Sequence, residues 1–142
     1  MNIIKTFDKA FSKMKEKNWD KIYVLVDVHD TLMKGLHQKN EQYLWYEWSL
    51  IALKMLSMRD DVSLILWTGS HDESIKKIKS ILEKKGIKID YVNENPEAED
   101  NEFYCNANKI YFNVGIDDRF GFEPENDWKP IVEYLTFEQS LK

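Results

Sequence analysis

Short apolar runs alternate with amphipathic segments along this chain, and the alternation predicts an α/β protein. Ile22–Val26 and Val62–Trp67 are rich in β-branched and aliphatic residues and contain almost no polar position. Such runs are typical of strands that are buried on both faces of a parallel sheet. Ile87–Val92 and Ile110–Ile116 predict a third and a fourth strand.

The N-terminal segment has helical periodicity, with an apolar stripe flanked by lysines. The stripe and the lysines are Ile3, Ile4, Phe7, Ala10, Phe11 and Met14, and Lys5, Lys9, Lys13 and Lys17. A basic amphipathic helix can lie on a membrane surface. Packing of the stripe against the sheet is the favoured interpretation, and Asn18–Asp20 should end the helix.

Glu41–Arg59 also predicts a helix, with one apolar stripe and three further aromatic residues outside it. The stripe is Leu44, Trp48, Ile51, Met55 and Met58, and the aromatic residues outside it are Tyr43, Trp45 and Tyr46. Either this helix is wedged between the sheet and the N-terminal helix, or its aromatic residues form a substrate wall or a subunit interface. The second alternative predicts a homo-oligomer through the Tyr43–Trp48 segment.

Two more helices are predicted after the second and the fourth strand. The first should be capped by Ser70 or Asp72 and should end at Gly86, with Ile75, Ile78, Ile81 and Leu82 facing inward. The closing helix contains Ile131, Val132 and Leu135, and Pro130 is tolerable in its first turn. Strands alternating with helices predict a single domain over residues 1–142, a three-layer Rossmann-like α/β fold with a parallel sheet and helices on both faces. The chain between the first two strands has no room for a cap domain.

The composition fits a globular protein and limits the classes of partner that it can bind. Apolar residues make up 43% and charged residues 32%, and 20 basic against 25 acidic side chains give a net charge of −5. This balance argues against a general nucleic-acid or anionic-membrane binder but allows a local basic patch. A single cysteine, Cys105, cannot form an internal disulfide. With no signal peptide and no apolar stretch of about 20 residues, a cytoplasmic location is expected.

Right-handed crossovers place the carboxyl ends of all the strands on one rim. That rim should carry Asp27, Thr68–Gly69 and Asp117–Asp118, with Lys109 nearby. Asp27 alone would fit a simple turn equally well. Together, the carboxylates predict a Mg²⁺ site, and the lysine, Thr68 and the Gly69 N–H would bind a phosphoryl group. Asp27 would then be the nucleophile.

The same residues resemble the four motifs of the haloacid-dehalogenase-like (HAD) phosphohydrolases, over about Ile22 to Trp128. The motifs are Asp27-x-x-x-Thr31-Leu32, strand-terminal Thr68, Lys109 and Asp117-Asp118. Small bacterial and phage members are most similar, and they share the segments Leu64-Ile65-Leu66-Trp67-Thr68 and Ile116-Asp117-Asp118-Arg119 and a tryptophan like Trp128. The resemblance implies a Mg²⁺-dependent hydrolase with Asp27 as nucleophile and metal ligand, and Asp117 and Asp118 as further metal ligands. It implies phosphoryl binding by Thr68, charge balance by Lys109 and loop support by Thr31.

One position departs from the family pattern. The family has a second aspartate two residues after the nucleophile, which acts as general acid and base, and this chain has His29 there. Histidine can also transfer protons near neutral pH. Two functions are therefore predicted: hydrolysis of a phosphomonoester through an aspartyl-phosphate at Asp27, or a weak or inactive module that keeps the site for binding or assembly. The substrate would be a phosphorylated small molecule or a phosphorylated polymer end. The acidic segment Glu94–Glu102 should hang over the same rim, as a solvated loop or a lid.

Overall fold

A computed structural model describes residues 2–35, 43–98 and 110–140, with only the backbone of 139 and 140. Lys109, Cys105 and part of the acidic segment lie outside the described residues. Within the described ranges there are four α-helices and four β-strands. They are α1 (Ile3–Lys17), β1 (Ile22–Asp27), α2 (Ser49–Ser57), β2 (Val62–Trp67), α3 (Asp72–Lys84), β3 (Tyr91–Val92), β4 (Val114–Ile116) and α4 (Trp128–Ser140).

The four strands form one parallel sheet in the order β3-β2-β1-β4. The prediction of an α/β fold with a parallel sheet is confirmed, and β2 has the predicted bounds. The third and fourth strands are shorter than predicted. Of the predicted third strand only Tyr91–Val92 pairs within the sheet, and of the predicted fourth only Val114–Ile116. Ile87 and Ile89 are nevertheless buried, as expected.

The main core lies between one face of the sheet and the helices. Alternate strand residues such as Val24 and Leu64 point to this face, and they share one buried cluster with residues from all four helices. On the opposite face, Leu25, Ser63 and Ile65 are also buried. The predicted helices on this second face are not tested, because residues 99–109 of the connection between β3 and β4 lie outside the described residues.

Helix ends follow local chemistry in α1 and α3. The Asn2 side chain accepts hydrogen bonds at the start of α1, and Asn18 ends it with a left-handed φ of 58°. Gly86, with φ of 81°, follows α3 as predicted, and its N–H bonds to the carbonyl of Glu83. The predicted cap of α3 is wrong, because His71 occupies the N-cap position without a side-chain hydrogen bond.

The predicted helix from residue 41 is wrong over residues 43–48. Trp45 instead forms an antiparallel bridge with Met33, and the Tyr46 N–H donates to the carbonyl of Leu32. Trp48 has a left-handed φ of 72°, so α2 begins only at Ser49. Hydrogen bonds to the segment after β1 therefore replace the first helical turns.

The predicted stripe of α2 is wrong for the same reason. Leu44, Ile51 and Met58 are 41%, 51% and 71% exposed. The helix instead buries Ala52, Leu53 and Leu56. The aromatic residues before it pack partly buried against the core: Tyr43, Trp45, Tyr46 and Trp48. This supports intramolecular packing of the segment, while the predicted oligomer stays a prediction.

Candidate functional site

Three strand ends meet at the predicted rim. Asp27 is the last residue of β1 and lies opposite Trp67, the last residue of β2. Asp117 follows β4, whose Ile116 pairs with Val26 on the other side of β1. The open cleft between these ends is lined by Asp27, His29, Asp30, Trp67, Thr68, Gly69, Ser70, Asp117, Asp118 and Arg119.

Carboxylate oxygens of Asp27, Asp117 and Asp118 all lie within 4.8 Å of one another. Asp117 is buried and Asp118 is exposed, so the cluster lies between the core and the cleft. Burial, and then the charge of Asp117, raise the pKa of Asp27 to about 7. Burial also raises the pKa of Asp117 above its ordinary value, although the Arg119 N–H donates to its carboxylate. Such a group of crowded carboxylates could hold a hard divalent cation.

Thr31 ties the two sides of the carboxylate cluster together. Its buried hydroxyl lies 3.2 Å from Oδ2 of Asp27 and 3.3 Å from Oδ1 of Asp118, and it accepts a hydrogen bond from the Asp118 N–H. One hydroxyl proton is thus shared between two carboxylates. The carbonyl of Thr31 accepts a 2.8 Å bond from the buried indole of Trp128. The role that the resemblance implied for Thr31, support of this loop, matches these contacts.

The turn after Asp27 directs the next acid away from the cluster. Asp30 has a left-handed φ of 62°, and its carboxylate accepts a hydrogen bond from the Gly35 N–H. A Cβ at Gly35 would lie 2.7 Å from that carboxylate, so any other residue there would displace the Asp30 side chain. Asp30 therefore does not replace the acid that is absent at position 29.

His29 faces a pair of hydroxyl groups across the cleft. Its Nε2 lies 2.9 Å from Oγ of Ser70, and the Thr68 hydroxyl donates a 3.0 Å bond to the same Ser70 oxygen. Ser70 lies one residue before His71, the N-cap of α3, and its hydroxyl makes these contacts instead of capping the helix. The arrangement leaves Nδ1 as the nitrogen of His29 that Ser70 does not contact.

The backbone of Thr68 is hydrogen-bonded to the side chain of Asn93, the residue after β3. The Asn93 side chain accepts from the Thr68 N–H and donates to the Thr68 carbonyl, both at 2.8 Å. Sequence reasoning did not find the roles of Asn93 and Ser70. Their signal was present, since a polar residue directly after a predicted strand belongs to the same rim. Gly69 is exposed, and a Cβ there would meet nothing within 4 Å.

The structure thus brings together six of the seven predicted site residues: Asp27, His29, Thr68, Gly69, Asp117 and Asp118. The seventh, Lys109, lies outside the described residues. The acidic segment departs from the prediction at Glu97, which pairs with Lys21 at 2.9 Å. Because Lys21 precedes β1, Glu97 lies at the opposite end of the sheet and not over the cleft.

Comparison with known proteins supports the fold alone. No protein-family model matches the chain, and no curated protein matches it significantly. A solved structure is similar, that of a conserved protein coded by a locus of Bacteroides thetaiotaomicron. The TM-score is 0.61 with 21% identity, and the match covers 83% of this chain and 92% of that one. No helix among the described residues is long and apolar enough to cross a membrane.

Proposed function

We propose that this protein hydrolyses phosphomonoesters with the aid of Mg²⁺, through an aspartyl-phosphate at Asp27. The observation that carries the proposal is the group of three carboxylates within 4.8 Å, formed by Asp27, Asp117 and Asp118. They face hydroxyl groups from the end of β2 across one cleft. The resemblance to HAD phosphohydrolases supports the same chemistry.

The donor set fits Mg²⁺. This ion prefers oxygen ligands about 2.1 Å away and is usually held by one or two carboxylates together with waters. A cation would also relieve the repulsion that accompanies the raised pKa values of Asp27 and Asp117. When bound, Mg²⁺ would neutralise charge on the phosphoryl oxygens. Asp27, Asp117 and Asp118 are the residues that would hold it.

Each residue of the cleft has its own role in the proposed hydrolysis. A carboxylate oxygen of Asp27 attacks phosphorus as the bond to the leaving oxygen breaks, and water then hydrolyses the acyl phosphate. Hydroxyls of Thr68 and Ser70 and the backbone N–H of Gly69, an exposed residue of the cleft, are placed to bind phosphoryl oxygens. His29 gives a proton to the leaving oxygen in the first step and takes one from water in the second.

A catalytically weak binding module is the alternative. The observation that favours it is the 2.9 Å contact between His29 Nε2 and Ser70, which engages one ring nitrogen in an internal hydrogen bond. A histidine held in this way has one nitrogen fewer for proton transfer. On this alternative the carboxylate cluster would still bind a cation and a phosphorylated ligand, without turnover.

The test is a screen of phosphorylated metabolites and of oligonucleotides phosphorylated at the 3′ or 5′ end, with Mg²⁺. Release of inorganic phosphate should require the metal and should be lost in Asp27→Asn. Asp60→Asn is the matched control, because Asp60 is an exposed acid in the turn before β2. Phosphate release by Asp27→Asn at the wild-type rate would contradict the proposed nucleophile. Binding without turnover in the wild type would favour the alternative.

A further inference from the structure

A second groove lies beside the start of β4, where α1 packs against the sheet. One wall is formed by α1 and the other by residues 111–113. Its charged and aromatic residues are Lys5, Lys9, Lys13, Trp19, Tyr111 and Phe112. In the described sheet β4 is an edge strand, so the groove is open along its outer side.

The three lysines form a row along one face of α1. They are four residues apart, which places each about 6 Å from the next along the helix axis. All three are exposed, and none is paired with a carboxylate among the described residues. The apolar stripe of α1, which includes Phe7 and Phe11, is buried in the core. This helix therefore has no free apolar face to insert into a membrane.

Aromatic rings connect this groove with the carboxylate cleft. Phe112 stacks on Phe120 with ring centroids 6.4 Å apart and an interplanar angle of 6°. Gly115 permits this stack, because a Cβ there would lie 2.9 Å from one ring and 3.0 Å from the other. Phe120 is 48% exposed and directly follows Arg119, which lines the cleft.

We propose that the groove binds single-stranded nucleic acid, so that a phosphorylated strand end reaches the carboxylate cleft. The delivery of that end to Asp27 rests on the proposed function, whereas binding in the groove does not. The Lys5–Lys9–Lys13 row binds successive phosphates of the strand, and the exposed ring of Phe120 stacks on a base near its end. Combining a basic row with aromatic rings is the usual way of binding single strands without reading their sequence.

The net charge of −5 does not prevent a nucleic-acid strand from binding in this groove, because the local charge of the groove is positive. No acid is among the described residues that line the groove. Glu97 lines the neighbouring pocket with Trp19 and Tyr111, and its charge is balanced by Lys21 at 2.9 Å. An acidic protein segment could also bind a row of lysines. It would not use the flat, exposed ring of Phe120 on the path to a phosphate site, which favours the nucleic acid.

Binding is tested with a hydroxyl-ended oligothymidylate of about ten nucleotides, which is not a phosphatase substrate. Fluorescence anisotropy of the labelled strand is measured over a series of salt concentrations. The test variant is Lys5→Gln/Lys9→Gln/Lys13→Gln. The matched control is Lys76→Gln/Lys84→Gln/Lys85→Gln, on α3 and its C-cap. Phe120→Ala tests the stacking step, and circular dichroism checks that each variant is folded.

The wild type should bind, with affinity that falls as salt rises. The triple variant on α1 should lose at least tenfold in affinity, and its salt slope should fall by about 2, since each phosphate contact contributes about 0.7. Phe120→Ala should lose about tenfold. The control on α3 should bind like the wild type.

Three results would overturn the inference. They are no binding by the wild type, equal loss in the two triple variants, and binding only to vesicles of phosphatidylcholine with phosphatidylserine. Groove binding that is intact without phosphate release from any end-phosphorylated strand would contradict the proposed hydrolysis and leave groove binding standing. Phosphate release from small phosphomonoesters without strand binding would contradict groove binding and leave the proposed hydrolysis standing.

Discussion

The indole N–H of Trp128 donates a 2.8 Å hydrogen bond to the carbonyl oxygen of Thr31, 97 positions earlier in the chain. Trp128 is the first residue of α4, and Thr31 is the residue whose hydroxyl joins the two sides of the carboxylate cluster. Both side chains are buried. The start of the last helix therefore fixes the loop that follows the first strand.

Trp128→Phe should destabilise the protein through this contact. The substitution leaves the Thr31 carbonyl without its partner in a buried place, which typically costs about 1–3 kcal/mol. The expected fall in melting temperature is about 3–10 °C, measured by thermal unfolding. Trp19→Phe is the control, because Trp19 is 37% exposed. An equal loss in both variants would show that the hydrogen bond is not the cause.

Mg²⁺ should stabilise the native protein. At a hundredfold excess over its dissociation constant, a ligand that binds only the folded state adds about 2.7 kcal/mol to the free energy of unfolding. Asp117→Asn/Asp118→Asn should remove this gain, and Asp60→Asn should keep it. Urea unfolding with and without Mg²⁺ measures the difference. A wild-type midpoint that does not respond to Mg²⁺ would count against the metal site.

Without divalent cations, stability should fall as pH rises from about 4 to about 7. In the native state the pKa of Asp27 is raised to about 7 from an ordinary value of 3.8, chiefly by burial. In this window the native state therefore holds more protons than the unfolded state, and the free energy of unfolding decreases with pH. Asp27→Asn should flatten the profile, and so should excess Mg²⁺. Urea midpoints across this range provide the measurement, and an Asp27→Asn profile as steep as the wild type would contradict the assignment.

The sequence predicted the parts of the fold that depend on local pattern. The bounds of β2 and the break at Asn18 follow from apolar runs and from residues with special backbone preferences. The predicted helix over residues 43–48 failed because periodicity does not register long-range backbone bonds. Trp45 forms a backbone bridge with Met33, and the Tyr46 N–H donates to the Leu32 carbonyl. Helical periodicity in the sequence gives no sign of either contact.

In the candidate site, too, some residues were predictable from the sequence and others depend on long-range contacts. Asp27, Asp117 and Thr68 were predictable because parallel strands deliver their ends to one rim. Ser70 was mistaken for a helix cap because its partner, His29, is 41 positions away. Asn93 was missed as the support of Thr68, since strand pairing, and not spacing along the chain, brings the two together.

Substitutions of His29 separate the acid step of the proposed hydrolysis from its other steps. The residue at this position should donate a proton to the leaving oxygen, and general acid–base catalysis of this kind is typically worth about 10²–10⁴ in rate. Close to a divalent cation, the protonated imidazole is disfavoured by like charge. Acid catalysis should therefore be weak, and aryl phosphates, whose leaving groups need little protonation, should be hydrolysed faster than alkyl phosphates. His29→Asp should raise the turnover of alkyl phosphates more than that of aryl phosphates.

His29→Ala and Ser70→Ala complete this series. His29→Ala should lower both rates if the histidine transfers protons. Ser70→Ala removes the 2.9 Å contact to Nε2, the 3.0 Å bond from Thr68 and one proposed phosphoryl-binding hydroxyl. It keeps the imidazole, and it should therefore have a smaller effect than His29→Ala. Steady-state hydrolysis of one aryl and one alkyl phosphate by all four proteins is the measurement, with Mg²⁺ binding checked in each. No turnover in any of them, with metal binding intact, would decide for the binding module over the hydrolase, because His29→Asp restores the acid that the mechanism requires.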